Sequence, residues 1–205
     1  GGRLMPATRR TQEERRESTI RKILDAATNA LIDVGYAEAS VQEVCARAGV
    51  SSGGLFRHFL TREALMVAVG EDVGRQQLAR YRREFEALRG EREPLELALR
   101  LVRHSCRSRL NQAWYELAIA ARTNPRLKKA LAPTAARYYE DIRALARDLL
   151  PELAAALGAR FDVLVDTIIA VFDGEVVHRF VLPKPKIEED RVELLLGVTR
   201  LLLAK

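Results

Sequence analysis

Apolar side chains recur at helical spacing along the whole chain, and no segment alternates with the period of two that a half-buried strand requires. Ile20, Ile23, Leu24, Ala27, Leu31 and Val34 make one stripe, which predicts a first helix over about Ser18–Val34. Gly35 stands where a left-handed residue ends such a helix. Ser40-Val41-Gln42-Glu43 reads as a Ser-x-x-Glu capping box opening a short second helix, with Val41, Val44, Cys45 and Ala48 on one face. Gly49 breaks it, and Ser51 caps a third helix running through Phe59. Thr61 caps a long fourth helix from about Arg62 to Leu88, ending near Gly90. Pro94 opens a fifth through about Arg109, and a sixth covers Leu110–Arg122. Asn124-Pro125 is an N-cap followed by proline at the first helical position of a seventh, which stops at Pro151. An eighth, Phe161–Leu182, is apolar nearly all round; Pro183-Lys184-Pro185-Lys186 forms a stiff linker to a ninth over Glu188–Leu203. The pattern predicts an all-α fold of about nine helices.

Composition narrows the function. With 48% hydrophobic and 30% charged residues in 205, the chain has enough apolar surface for a sizeable core. Cys45 and Cys106 alone make neither a disulfide scaffold nor a multi-cysteine zinc site and read as small apolar fillers in a reducing compartment. His58, His104 and His178 have no metal-ligand spacing. No Gly-rich phosphate loop, nucleophile elbow or carboxylate pair is present, so neither an enzyme nor a cofactor is expected. Gly1-Gly2-Arg3-Leu4 before Met5 reads as a leader outside the fold. The N-terminus lacks an apolar signal-peptide region, and Asp166, Asp173, Glu175 and Arg179 interrupt the most apolar stretch, Val163–Val181. The expectation is a cytoplasmic protein without a membrane span. Net charge is +6, and residues 1–22 hold seven basic side chains against three acidic ones, which permits a polyanionic partner.

Helix, glycine turn, helix, with a preceding helix packed across both, is the helix-turn-helix arrangement, whose second helix enters the DNA major groove. The residues sharpen this. Ile23-Leu24-Asp25-Ala26-Ala27, Gly35-Tyr36, Ala48-Gly49-Val50-Ser51, Leu55-Phe56-Arg57-His58-Phe59 and Thr61-Arg62-Glu63-Ala64-Leu65 follow one another without a gap. This run resembles the TetR family of bacterial transcriptional regulators. Trp114-Tyr115-Glu116-Leu117, Ala120-Ala121-Arg122-Thr123-Asn124-Pro125 and Asp173-Gly174 resemble looser family patterns.

The resemblance implies a basic arm (1–17), a three-helix DNA-binding head (18–65) and a helical ligand-binding and dimerisation body (66–205). It implies a repressor that binds a palindromic operator in double-stranded DNA as a homodimer through its last two helices and is released by a small-molecule effector. The rival reading is a helical ligand-binding or scaffold protein that keeps the head without specific DNA binding. Gly53 and Gly54 stand where the family often has a base-contacting side chain, and Phe56 where it commonly has tyrosine. Glycine permits close backbone approach to DNA, leaving Ser51, Ser52, Arg57 and His58 for polar contacts. Arg57 reads a guanine or grips phosphate; Arg62 matches the family's lysine near the DNA backbone; Ser40 and Gln42 open the second helix beside it. For the effector, the expected site lies between Tyr81 and Phe85 on one side and Arg103, His104, Trp114 and Tyr138 on the other. Seventeen basic against eight acidic residues over 75–147 favour an uncharged or anionic apolar ligand over a cation. The dimer seam is expected at Phe161, Val165, Ile168, Ile169 and Phe172 with Val192, Leu195, Leu196 and Leu202.

Overall fold

The computed structural model describes residues 11–87 and 94–203; the expected leader, most of the basic arm and the expected helix end near Gly90 lie outside the described residues. The described residues form ten helices and no strand. Helix α1 (Gln12–Glu38) starts earlier than its apolar stripe suggested, because Thr11 and Glu14 make a complete capping box. The Thr11 hydroxyl accepts from Glu14 N at 3.2 Å, and the Glu14 carboxylate accepts from Thr11 N at 2.8 Å. Gly35, at φ 75°, breaks the helix near its end as expected, in a conformation that a side chain would strain.

Helix α2 (Val41–Ala48) corrects one detail. Ser40 accepts from Glu43 N at 3.2 Å, but the Glu43 carboxylate turns to Arg47 at 2.7 Å, and Ser40 N donates to the Glu38 carbonyl instead. Half of the expected capping box forms, because a nearby arginine is the stronger partner for a carboxylate. Gly49 ends α2 in the left-handed region. The turn leads into α3 (Ser52–Phe56), capped by Ser51, which accepts from Gly54 N at 3.1 Å. Five residues cannot hold a helix alone. Leu55, fully buried, and Phe59 just beyond fix α3 against the core, a burial worth about 1.5–3 kcal/mol for each side chain.

Thr61 caps α4 (Arg62–Glu86), accepting from Ala64 N at 3.0 Å. Then come α5 (Pro94–Cys106), α6 (Arg109–Ala121), and α7 (Pro125–Leu149), whose cap Asn124 accepts from Leu127 N at 3.0 Å. Pro151 does not simply stop α7. It is the first residue of an additional short helix, α8 (Pro151–Leu157), ended by Gly158 at φ 54°. Helices α9 (Arg160–Arg179) and α10 (Pro185–Leu203) follow; Pro185 opens α10, so the expected stiff linker is partly helix.

One apolar cluster joins Ile23, Leu31, Val44 and Leu55 of the first three helices to Met66 and Val69 of α4, Leu117 of α6 and Leu131 of α7. A second joins Leu99, Tyr115, Phe172, Val176, Val192 and Leu196 across α5, α6, α9 and α10. Thus α4, α6 and α7 carry the head's core straight into the body. Cys45 and Cys106 are buried and unpaired, and no helix among the described residues is long and apolar enough to cross a membrane.

Candidate nucleic-acid interface and ligand cavity

The surface around the glycine turn is the place where backbone and polar groups meet solvent. Gln42, Ser51, Ser52, Gly53 and Arg57 are exposed, while Ser40, Gly54 and His58 are half-buried. A β-carbon at Gly53 would meet nothing within 4 Å; at Gly54 it would press on the capping hydroxyl of Ser51 at 3.3 Å. Ser40 and Ser51 each accept from the backbone as caps, which leaves their own O–H free to donate. Phe56 and Leu60 flank this face, 41% and 86% exposed.

Arg62 behaves otherwise than its place in the sequence suggested. Its guanidinium carbon lies 4.2 Å from the centre of the Tyr36 ring, and it donates to the carbonyls of Tyr36 and, at 3.3 Å, Ala39. The side chain folds back onto the broken end of α1, where free carbonyls and an aromatic face both attract a cation. The same break is held from α6. Tyr36 N donates to the Glu116 carboxylate at 3.1 Å, and Asp33 accepts from Arg109 at 2.7 Å and from Arg47 of α2. The hydrogen bonds from Arg47 and then Arg109 hold the Asp33 carboxyl below its ordinary range. Arg62→Ala is therefore expected to lower unfolding stability by about 1.5–3 kcal/mol, the range for hydrogen bonds to a charged group. A urea titration reads it, and a variant as stable as wild type would remove Arg62 from this structural role.

In the body, the expected effector residues do not meet in one place. Tyr81 and Phe85 line a cavity, partly open to solvent, walled by α4, α5, α7, α8 and α9. Trp114 and Tyr138, ring centres 6.4 Å apart, line a separate space beside Gly70 and Gly74 of α4. Arg103 is buried away from both and donates to Glu175 at 2.9 Å and Glu189 at 2.8 Å, while His104 is exposed. The reason is helix phase. Each step along α5 turns about 100°, and with Leu95, Ala98, Leu99 and Val102 on the cavity, neighbouring positions point elsewhere.

The expected dimer seam is also corrected. Phe161, Ile168, Ile169, Phe172, Val192 and Leu196 are buried within the protomer, and Val165 and Leu195 are half-buried; of that set only Leu202 is exposed. The opposite faces are open: Val163 and Val177 on α9 are 66% and 44% exposed, Leu194 and Leu201 on α10 65% and 68%. Between α5 and these helices lies a charge cluster that hydropathy alone did not reveal. Glu175, its side chain 1% exposed, accepts from Arg103, Arg107 and Arg191, and Glu188 accepts from Arg107 and Arg179. A glutamate inside the apolar run of α9 was the available signal. A second buried polar group links Tyr115, which donates to Asp173 at 2.6 Å, with Asn111, which donates to Tyr115 at 2.8 Å. Burial raises the Asp173 carboxyl above its ordinary range.

Comparison with known proteins agrees with this architecture. The model described as bacterial regulatory proteins of the tetR family matches residues 23–69, α1 through the first turns of α4. An uncharacterized HTH-type transcriptional regulator of Mycobacterium tuberculosis is 39% identical over 186 residues, covering 91% of this chain and 95% of its own. The chain belongs to the tetR family. A TetR-family regulator of Rhodococcus sp. shares the fold of this TetR-family protein at a TM-score of 0.65 and 23% identity, over 90% of this chain and 98% of its own. The multidrug binding protein EbrR, solved with imidazole, has a TM-score of 0.64 and 27% identity over 87% of this chain and 93% of its own. Membership makes the helix-turn-helix face a DNA-binding surface and the protein a transcriptional regulator.

Proposed function

We propose that this regulator represses transcription in the bacterial cytoplasm: two heads of a homodimer bind a near-palindromic operator, and a small molecule held in the body releases it. Residues 18–65 act as the reading head and 66–205 as the sensing and dimerising body. The observation that carries this reading is the course of α4. It begins at Arg62 against the end of α1 and reaches the cavity at Tyr81 and Phe85, roughly 28 Å further along at 1.5 Å per residue. A rigid helix with one end in the head and the other in a cavity couples occupancy of the second to the position of the first. The bound imidazole in EbrR, a protein of the same architecture, supports a ligand-holding body.

At the DNA, the backbone of Gly53 and Gly54 approaches the groove, with Gln42, Ser52, Arg57 and His58 supplying polar contacts and the Ser40 and Ser51 hydroxyls donating to phosphate. Arg57 is exposed with no ion-pair partner among the described residues, so it is the cation we assign to a base edge. Half-sites lie about one helical turn, or a multiple of it, apart. Arg57→Ala is expected to relax discrimination at one base pair by about 1–3 kcal/mol. Fluorescence anisotropy across single-base operator variants measures it, and a uniform loss at every position moves Arg57 to the phosphate class. For dimerisation, the open faces of α9 and α10 pair with their copies in a four-helix seam. The test of the whole reading is anisotropy with the duplex upstream of the protein's own gene, with and without ligand. No preference over random duplex overturns it.

A further inference from the structure

We propose that the effector is an uncharged, elongated apolar molecule, an aliphatic chain or hydrocarbon, seated in the cavity between α5, α7 and α9. This rests on the ligand-released reading above and adds the ligand's chemistry to it. The carrying observation is the wall. Of the residues that line the cavity, Tyr81 alone has a polar side-chain group, and none is charged. The shape is a slot: lining residues run from Ile142 to Leu149 on α7 and from Phe161 to Ile169 on α9, stretches of roughly 10 and 12 Å at 1.5 Å per residue. Such a wall offers water no hydrogen-bond partner beyond the Tyr81 hydroxyl, so an apolar guest displaces water with little hydrogen bonding to break.

Charge selection follows from where the ionic groups went. Four arginines of the surrounding helices, part of the surplus that suggested an anion, are already paired: Arg103 with Glu175, Arg100 with Glu96, Arg143 with Asp166 and Arg147 with Asp162. All of these pairs lie off the cavity lining. An anion in the slot finds no cation, and a quaternary ammonium finds no carboxylate, because Asp173 is not part of the wall and already accepts from Tyr115. An ion there loses its water and gains nothing in return.

Four probes of one chain length separate the possibilities: decane, 1-decanol, decanoate and decyltrimethylammonium. Each is titrated against the full-length protein without DNA, by displacement of the neutral fluorophore N-phenyl-1-naphthylamine. Decanol and decane are expected to displace it at least tenfold more tightly than either ion. Equal or tighter binding of an ion overturns the proposal. Ala146→Trp fills the slot and is expected to weaken decanol at least tenfold. Val102→Lys places a cation on the half-buried wall and is expected to shift preference toward decanoate by at least tenfold, a gain that misfolding does not imitate. If decanol binds Ala146→Trp as it binds wild type, or if Val102→Lys leaves the order unchanged, the seat is wrong. Operator release is measured separately. Selective decanol binding that leaves DNA bound overturns the release mechanism while the ligand class stands.

Discussion

Aspartate in place of Val177 is expected to turn the proposed dimer into a monomer and to lower operator affinity by a hundredfold or more. Val163, Ala170 and Val177 on α9, and Ile187, Leu194 and Leu201 on α10, recur at intervals of seven and are all exposed. That is the spacing of a seam between packed helices. A β-carbon added at Gly174 or Gly197 would meet nothing within 4 Å, so the backbones on this side are open to close approach. An aspartate in the seam has to be desolvated beside its own copy across the two-fold axis, where both the loss of water and the like charge oppose pairing. Two linked heads gain about 10²–10⁴ in avidity over one, and the monomer forfeits that gain. Sedimentation velocity and anisotropy read the two effects. Ile168→Asp serves as the contrast: Ile168 is buried inside the protomer, so that change unfolds the chain. A Val177→Asp protein that remains dimeric would place the interface elsewhere.

Glu175→Gln is expected to cost about 3–5 kcal/mol of stability, the usual loss when one partner of a buried ionic cluster is removed. The carboxylate is the shared acceptor of Arg103, Arg107 and Arg191. Its neutral isostere keeps the volume but leaves three guanidinium groups without their central charge. The same carboxyl predicts an acid limb. Burial pushes its pKa up, but the hydrogen bonds from Arg103 and Arg107 outweigh that and hold it below its ordinary value of 4.5. A depressed carboxyl stabilises the fold above its unfolded pKa, and the contribution is lost as pH falls through the lower folded value. Wild type should lose stability below pH 4.5, and Glu175→Gln should lose less there because it has already forfeited this part. Urea titrations at neutral and acidic pH measure both. Glu193→Ala, which removes an exposed partner of Arg100, should change stability by no more than about 1 kcal/mol. Equal losses for the two substitutions would show that burial of Glu175 confers no special weight.

Local signals in the sequence carried the elements. Ser51, Thr61 and Asn124 cap the helices they were expected to cap, Gly35 takes the positive φ its position suggested, and Gly49 ends α2 as expected. Each of these features depends on three or four consecutive residues and on backbone sterics, so nothing distant can move it. The helix-turn-helix run was legible for the same reason. Where a competing partner was near, as with Arg47 beside Glu43, even a local expectation was only half met. Pro151 shows the limit of a punctuation rule, since proline that cannot continue one helix is well suited to begin another.

The facing of side chains was decided by the tertiary structure. Helix α9 is apolar on several sides, so hydropathy does not say which side meets the protomer's own core. Packing against α5 and α10 chose Phe172 and Val176 for the inside and left Val163 and Val177 outside. Arg62 stands at the start of α4 as the sequence says, but the broken end of α1, 26 residues earlier, draws its guanidinium inward. Tyr81 and Trp114 each border a cavity, but not the same one: α4 and α7 wall both, with α5 and α9 closing the first and α6 the second. Sequence alone determined most of the helices, their caps and the helix-turn-helix run, governed by short-range capping and backbone geometry. The tertiary structure determined the cavity, its uncharged wall and the open apolar faces of α9 and α10, because a turn of about 100° per residue lets long-range packing choose which face of each helix is hidden.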